Sequence, residues 1–338
     1  MCLDATWAFS GITITAQVSM SLRVLPGLFI NFESFFSNLR ARSITNPAMA
    51  PIEATYNAFI QCLNRRQWGH LGTYLHTTFA KNNQHWTPET YAAKIKSAGD
   101  IEFQICVVAV DQESQTLAST LLVTWKPSSP VMGIEPSGKT ITLVEKHVNW
   151  FLEGQITRII DLADREAIYR QLSNPEAISS PDVDIATWSN HAAKGSVFSQ
   201  QSLESIYRVY VGCINERTTK DRLDKLVHPQ LIFNGMSMSL DAYGDALRVI
   251  ASAIPDLVVE IDAIVIDEKA QRVAARLIST GTAAKSLFGI EPADGRGQFY
   301  EHATYQFRDG KIAYVWSVGS WGSYLQAVPK SSSQGDIW

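Results

Sequence analysis

The chain has 338 residues, of which 46% are apolar and 18% are charged. At about 150 residues per domain this length predicts two domains, and the apolar fraction excludes a disordered or collagen-like chain. The formal net charge of -4 excludes a basic surface for nucleic acids or anionic membranes, and no apolar run reaches the ~18 residues that span a bilayer.

The N-terminal segment, residues 1–48, shows no clear helical or strand period. The sequence MAPIEATYNAFIQ that follows is typical of a natural start and an amphipathic helix. We therefore expect residues 1–48 to be a mobile extension or the product of an over-long gene model. A mitochondrial presequence is the less favoured alternative. The arginines of this segment support it, but the acidic residues of the segment oppose it.

The elements after residue 49 occur twice in the same order. Each copy begins with apolar residues spaced three and four apart, which predicts a helix: Tyr56, Phe59, Ile60 and Leu63 in the first, and Tyr207, Tyr210, Val211 and Ile214 in the second. A short helix carrying Tyr91 or Tyr243 follows, then long strands and a final hairpin. In the second copy the hairpin turns on Asp309-Gly310, a strong two-residue turn signal. This order predicts an α+β unit with an antiparallel sheet.

An internal repeat supports this duplication. GIEPSGKTITLVEKHVNWFLEG (133–154) aligns without a gap to GIEPADGRGQFYEHATYQFRDG (289–310), and FIQCLNRR (59–66) resembles VGCINERT (211–218). A repeat of this length is one domain duplicated rather than a solenoid. We therefore predict domains at 49–175 and 201–329, a Pro- and Ser-rich linker at 176–200, and a flexible tail at 330–338.

Cysteine spacing and short motifs limit the chemistry. Cys2, Cys62, Cys106 and Cys213 form no CxxC pair, which favours reduced thiols in a cytoplasmic protein. The sequence has no HxH or HExxH spacing and no GxGxxG, P-loop or GxSxG motif. We therefore expect no metal, no nucleotide cofactor and no serine hydrolase chemistry.

The second copy carries YGDALRVIASAIPDLVVEI, RVAARLISTGT, FGIEPADGR and FRDGKIAYVWSV within residues 243–318. This stretch resembles the SnoaL-like polyketide cyclase family of the nuclear transport factor 2-like superfamily, over most of 203–328 and more weakly over 51–172. The resemblance implies two conical α+β folds, each with helices on a curved antiparallel sheet around an apolar pocket, that form a pseudo-dimer within one chain. It also implies acid–base chemistry on carbonyl or polyol substrates without a metal or organic cofactor.

The resemblance also implies a catalytic residue. In the family a catalytic aspartate lies ten residues after the hairpin glycine; here that position is Asp164 after Gly154, but Ser320 after Gly310. The acid–base carboxylate is therefore expected in the first copy only. We expect Asp164→Asn to abolish turnover and Ser320→Ala to have little effect.

Unbroken pairing beyond the hairpin turn would place alternate residues on one face of the sheet. In the second copy this face would hold Phe299, Glu301, Ala303, Tyr305, Phe307, Tyr314, Trp316, Val318 and Ser320; in the first copy it would hold Leu143, Glu145, His147, Asn149, Phe151, Arg158, Ile160, Leu162 and Asp164. Taken alone, the polar face of the first copy could be exposed to solvent. The equivalent face of the second copy is aromatic, which favours an enclosed pocket in both copies.

These expectations define the predicted site. The catalytic candidates are Asp164, His147, Glu145 and Arg158, with His147 as partner proton carrier, Arg158 or Asn149 holding a developing oxyanion, and Glu145 equally open to a structural role. The candidates for substrate binding are Asn149, Phe151, Tyr56, Trp86, Tyr305, Tyr314, Trp316 and Glu301.

The predicted function is a cofactor-independent cyclase, isomerase or dehydratase of secondary metabolism. Its substrate would be an apolar polycyclic polyketide or meroterpenoid, and a hetero-Diels–Alder closure of the kind known in fungal pathways is one candidate subtype. The alternatives are a non-catalytic small-molecule binding or assembly module with the same fold, and an enzyme whose site lies in the second copy around Glu301, Tyr305 and Tyr314. The expected partner is a small molecule, and we expect no binding to nucleic acids or membranes. A homodimer is a possible assembly.

Overall fold

The computed structural model describes the backbone of residues 3–9 and 12–18 and the full residues of 51–174, 195–287 and 295–320. Met1–Ala48 and Met49–Trp338 form separate compact units. In the first unit, β1 (Leu3–Phe9) pairs antiparallel with β2 (Ile12–Val18), although the sequence shows no strand period there. The rest of the predicted extension, most of the predicted linker and the whole predicted tail lie outside the described residues.

The first domain of the second unit, residues 51–174, has three α-helices and six strands. They are α1 (Ile52–Asn64), a 3-10 helix (Trp68–Thr73), β3 (Leu75–Lys81), β4 (Gln84–Trp86), α2 (Pro88–Ala98), β5 (Gly99–Asp111), β6 (Thr116–Pro127), β7 (Ile141–Leu152), β8 (Gln155–Ala163) and α3 (Arg165–Ser173).

The second domain, residues 195–320, repeats most of this order. It contains α4 (Gln200–Asn215), α5 (Thr219–Leu226), β9 (Val227–Phe233), β10 (Met236–Ser239), α6 (Leu240–Ala253), β11 (Val258–Asp267), β12 (Arg272–Thr282), β13 (Arg296–Arg308) and β14 (Lys311–Gly319). Within the described ranges, every helix is too short or too polar to traverse a bilayer.

Local sequence explains the helix positions. The apolar spacing of α1 buries Tyr56, Phe59 and Leu63 on one face, as predicted. Thr87 and Ser239 begin α2 and α6, because their hydroxyls accept hydrogen bonds from backbone N–H groups in the first turn. The two helices predicted at the start of each copy are therefore confirmed.

Each domain has one six-stranded sheet, in the order β4-β3-β8-β7-β6-β5 in the first and β10-β9-β14-β13-β12-β11 in the second. All pairs are antiparallel except β3 with β8 and β9 with β14. The helices cover one face of each sheet and enclose its main apolar cluster. The predicted α+β class is confirmed, with the addition of one parallel pair in each sheet.

The opposite faces of the two sheets pack against each other. One shared cluster contains Val144 and Leu162 from the first domain and Trp316 and Val318 from the second. Lys146 crosses this interface and donates from Nζ to Thr304 Oγ1 at 3.0 Å. The two copies therefore form a pseudo-dimer within one chain.

A β-bulge in each final hairpin changes the predicted faces. In the second domain Phe307 pairs with Ile312 as predicted, but Gln306 pairs with Tyr314, so Ala313 is an extra residue. The extra residue reverses which face the later side chains occupy. Tyr314, Trp316 and Val318 therefore lie between the two sheets, and the prediction that they share a face with Glu301 and Tyr305 is wrong.

The first domain has the same bulge. Phe151 pairs with Ile156 and Trp150 with Arg158, so Thr157 is the extra residue. The prediction that Arg158, Ile160, Leu162 and Asp164 share a face with Glu145, His147 and Asn149 is therefore wrong. Asp161 takes the position opposite His147 instead.

Candidate functional site

The first domain holds a cluster of buried polar side chains on the helix-covered face of its sheet. Glu145 and His147 lie two residues apart on β7, and Asp161 is paired with His147 across β8. One ligand-capable atom from each of these three residues lies within 4.8 Å of the other two. All three side chains are buried. Two carboxylates and one imidazole are thereby enclosed together, and they are a donor set that suits a divalent metal ion.

Asp161 is held by two neighbours from β3 and the turn after it. Lys81 Nζ lies 2.5 Å from Asp161 Oδ2, and Asn82 Nδ2 donates to Oδ1 at 2.5 Å. Burial alone would raise the pKa of Asp161, but the Lys81 ammonium holds it well below its usual range. Burial raises the pKa of Glu145, although the neighbouring His147 opposes that shift. Sequence reasoning missed Lys81 and Asp161, because neither belongs to the predicted face.

Tyr56 completes this cluster from α1. Its hydroxyl lies 2.6 Å from Ser119 Oγ and 3.2 Å from His147 Nδ1. Asn149 donates from Nδ2 to the carbonyl of Leu117 at 3.2 Å. Four predicted site residues, Tyr56, Glu145, His147 and Asn149, are thus brought together in the first domain.

Other predicted residues lie elsewhere. The Arg158 guanidinium is 4.6 Å from the centre of the Trp150 ring, on the opposite face of the sheet. Phe151 belongs to the apolar core of the first domain, and the Trp86 ring packs edge-on against Tyr91 at 6.3 Å. Tyr314 and Trp316 stack with ring centres 5.8 Å apart between the two sheets. Arg158, Tyr314 and Trp316 are therefore separated from the polar cluster.

The second domain contains a cavity of about 500 Å³ on the helix-covered face of its sheet. Its walls are mostly apolar and come from α4, α6, β9 and the four long strands. They include Tyr210, Ile214, Phe233, Met238, Tyr243, Leu247, Ile250, Leu257, Val259, Leu277, Phe299, Tyr305, Val315 and Val318. A volume of this size fits a small organic molecule.

A small number of polar groups reach this cavity. Ser317 Oγ donates to Glu301 Oε1 at 2.5 Å, and the hydroxyls of Tyr210 and Tyr243 lie 2.5 Å apart. Burial raises the pKa of Glu301, although the Ser317 hydrogen bond and the Lys146 ammonium oppose the shift. Burial also raises the pKa of both tyrosines, so their hydroxyls stay protonated and can donate hydrogen bonds.

The repeat relates the two sites position by position. Glu145 corresponds to Glu301, but His147, Asp161 and Lys81 correspond to Ala303, Ser317 and Phe233. The glutamate is therefore surrounded by charged groups in the first domain, and by a hydroxyl and apolar side chains in the second.

Asp164 lies at the cavity of the second domain rather than in a pocket of its own domain. Its Oδ1 accepts from the backbone N–H of Ala167 at 2.9 Å and so caps α3. Burial raises the pKa of Asp164, against the effect of that hydrogen bond. The counterpart Ser320 donates to the carbonyl of Tyr300 instead. The first domain thus contributes a carboxyl group to the cavity of the second.

The fold and the site define a tandem α+β protein with an enclosed small-molecule cavity, and the comparisons place it in a family. The model of the SnoaL-like polyketide cyclase family matches residues 53–172 and 204–321, which together make up more than two thirds of the chain. The chain therefore belongs to the SnoaL-like polyketide cyclase family. Its two domains are tandem copies of the nuclear transport factor 2-like fold, as predicted.

Several solved structures are similar to one domain of the chain. A SnoaL-like polyketide cyclase from Agrobacterium tumefaciens is 35% identical, with 35% of this chain and 91% of that chain covered and a TM-score of 0.33. AclR from Streptomyces galilaeus, described as a putative hydroxylase, is 23% identical, with 39% and 100% covered and a TM-score of 0.35. IdmH from Streptomyces antibioticus, described as a putative polyketide cyclase, is 16% identical, with 37% and 96% covered and a TM-score of 0.33. No protein of curated function matches the chain significantly.

Proposed function

We propose that the chain is a small-molecule cyclase whose reaction takes place in the cavity of the second domain. The observation that carries this proposal is a carboxyl group, Glu301, at the wall of a mostly apolar cavity of about 500 Å³. Membership of the SnoaL-like polyketide cyclase family supports the reaction class. Of the two active sites considered from the sequence, the one in the second copy agrees better with this cavity, with Ser317 and Tyr210 in place of Tyr314.

Glu301 is suited to move a proton in this environment. A carboxylate in an apolar cavity has a raised pKa, which makes its ionised form a stronger base. In the proposed step Glu301 removes a proton from the carbon beside a substrate carbonyl. The resulting enolate attacks a second carbonyl of the same molecule, and the new alkoxide takes the proton back from Glu301. The step forms one C–C bond and consumes no co-reactant.

The tyrosine pair is placed to hold the enolate oxygen. Tyr210 and Tyr243 share one hydrogen bond, so one hydroxyl proton of the pair is left to donate to a ligand. A donor fixed in a mostly apolar cavity stabilises a developing oxyanion more than the same donor would in water. The substrate class that fits is an apolar, polycyclic carbonyl compound, as in a polyketide or meroterpenoid.

Asp164 is the second carboxyl group at the cavity and stays a predicted catalytic residue. Burial raises the pKa of Asp164 despite the hydrogen bond from Ala167, so its ionised form suits the role of a proton acceptor. The expectation that Asp164→Asn abolishes turnover therefore applies to the cavity of the second domain.

Proton exchange tests the proposal without the natural substrate. The full chain is incubated in D2O with 2-tetralone and related bicyclic monoketones, and deuterium uptake at the carbon beside the carbonyl is followed by NMR. Exchange above the solvent rate is expected for the wild type and is expected to fall about 100-fold or more in Glu301→Gln, since general acid–base catalysis contributes about 10²–10⁴-fold. Glu260→Gln makes the same change on the exposed surface of β11 and is the matched control.

The alternatives give different results. A non-catalytic binding module would bind these ketones, measured by calorimetry, without faster exchange in the wild type. A hetero-Diels–Alder reaction removes no proton from carbon. The Glu301→Gln variant of such an enzyme would bind a substrate analogue and close its ring at the rate of the wild type. Either result would contradict the assignment of Glu301 as a base.

A further inference from the structure

The buried cluster of the first domain has no part in the proposed reaction, and its charges do not balance. Glu145 and Asp161 are both buried carboxyl groups with oxygens within 4.8 Å of each other. Lys81 supplies one positive charge, which is paired with Asp161. A second buried carboxylate without a cation is strongly unfavourable, so the cluster needs one further positive charge. That charge is either a proton or a metal ion.

Unpartnered atoms indicate where this charge belongs. Glu145 Oε2 and His147 Nε2 are buried and make no hydrogen bond. His147 Nε2 lies 3.1 Å from Glu145 Oε1. Neighbouring ligands on a metal with bonds of about 2.0–2.2 Å lie about 3.0–3.5 Å apart. The separation of the two groups therefore fits two ligands of one ion.

The surroundings of the cluster resemble the outer shell of a metal site. Tyr56 contacts His147 Nδ1 at 3.2 Å, which leaves Nε2 available for an ion. Lys81 and Asn82 hold the Asp161 carboxylate through short contacts to its two oxygens. Carboxylate oxygens can serve a metal and a hydrogen-bond donor at the same time.

We propose that Glu145, His147 and Asp161 bind a divalent first-row transition metal ion in the first domain. One imidazole and two carboxylates form a mixed nitrogen and oxygen set, which suits Zn²⁺, Co²⁺ or Mn²⁺ rather than a thiolate-loving ion. The second domain has alanine and serine at the positions of His147 and Asp161, so it lacks this donor set. The site does not depend on the proposed cyclase reaction.

Metal binding is measured on the untagged full chain. The protein is treated with EDTA, dialysed and titrated with CoCl₂ and ZnCl₂, and bound metal is counted by mass spectrometry of the elements. We expect one ion per chain and a Co²⁺ absorption spectrum of nitrogen and oxygen ligands without a thiolate band. Glu145→Gln should weaken binding about 100-fold or more, since even outer-shell partners are worth about 10–100-fold.

Glu301→Gln changes the duplicate of Glu145 and is the matched control, which should bind the ion as the wild type does. Tyr56→Phe keeps all three ligands and should weaken binding about tenfold. Circular dichroism establishes that each variant is folded. A wild type that retains no metal would show that a shared proton supplies the missing charge and would overturn the proposal. Binding that Glu145→Gln leaves unchanged, or a thiolate band, would overturn it as well.

Discussion

Lys146 is buried between the two sheets, and we expect its replacement by methionine to stabilise the protein at acidic and neutral pH. Its Nζ donates to Thr120 Oγ1 at 2.6 Å and to Thr304 Oγ1 at 3.0 Å, and the side chain is 2% exposed. Burial lowers the pKa of Lys146 to about 7, although Cys106 and Glu301 oppose the shift. The folded protein therefore binds this proton less tightly than the unfolded chain does.

The size of the effect follows from linkage. Between about pH 7 and pH 10.5 the unfolded chain holds more protons at this site than the folded one, so stability rises with pH in that window. Below it, the full penalty for burying the ammonium is present, at most about 5 kcal/mol from a shift of roughly 3.5 units at 1.36 kcal/mol each. Methionine removes this penalty but loses two hydrogen bonds, at about 1–3 kcal/mol in total. The net gain is about 2–4 kcal/mol near pH 6 and becomes a loss of up to about 2 kcal/mol near pH 10, where only about 1 kcal/mol of the penalty remains.

Urea unfolding of the full chain in EDTA, followed by tryptophan fluorescence at about pH 6 and about pH 10, measures the gain through the shift of the midpoint. Lys81→Met is the matched control, because Lys81 is equally buried but is paired with Asp161. Removing one partner of a buried pair costs about 3–5 kcal/mol, so this variant should be destabilised at both pH values. A loss of stability in Lys146→Met at the lower pH would refute the reasoning.

Three further predictions concern stability. Trp316→Ala empties the interface between the sheets and should cost about 3–5 kcal/mol in urea unfolding, as large buried aromatics do; a loss below about 1 kcal/mol would show that the sheets separate freely. Glu301→Gln should match the wild type at acidic pH and exceed it as pH rises through the raised pKa of Glu301, because only the wild type then buries a carboxylate; thermal melts that stay parallel across pH would contradict this. Gly154→Ala and Gly310→Ala both force alanine to a positive φ (+80° and +74°), at about 1–2 kcal/mol, but only at Gly310 does a Cβ meet a ring, Phe198 at 2.7 Å. Gly310→Ala should therefore lower the melting temperature more, and equal losses would contradict the contact.

The sequence predicts the helices, the order of the strands and the duplication, because each depends on spacings of a few residues or on direct self-similarity. The two-residue turn at Asp309-Gly310 also follows, since both residues adopt the positive φ that this turn requires. The two β-bulges cannot be predicted from the sequence, because Thr157 and Ala313 are ordinary strand residues and nothing in the neighbouring sequence indicates an extra residue. That single residue moved Asp164 away from the glutamate of its own domain.

Which face of the sheet a side chain occupies depends on the pairing between strands. A prediction of that face assumes unbroken alternation along the strand, and one inserted residue moves every later side chain to the opposite face. The aromatic set was expected around Glu301 for this reason. Two of its five members, Tyr314 and Trp316, instead pack between the two domains, while Ser317 takes the place beside the glutamate.

The comparison of the two copies explains how one position can have two roles. Glu145 lies beside a histidine and an aspartate, and that aspartate is paired with a lysine. Glu301 has the same place on the sheet, but its closest partner is a serine hydroxyl, and a phenylalanine stands where the lysine would be. The second domain has room for a ligand beside its glutamate, and burial raises the pKa of this carboxyl group. Reactivity in the second domain would then arise from the absence of the charged contacts that the first domain keeps, and the first domain would serve the shared site through the carboxyl group of Asp164.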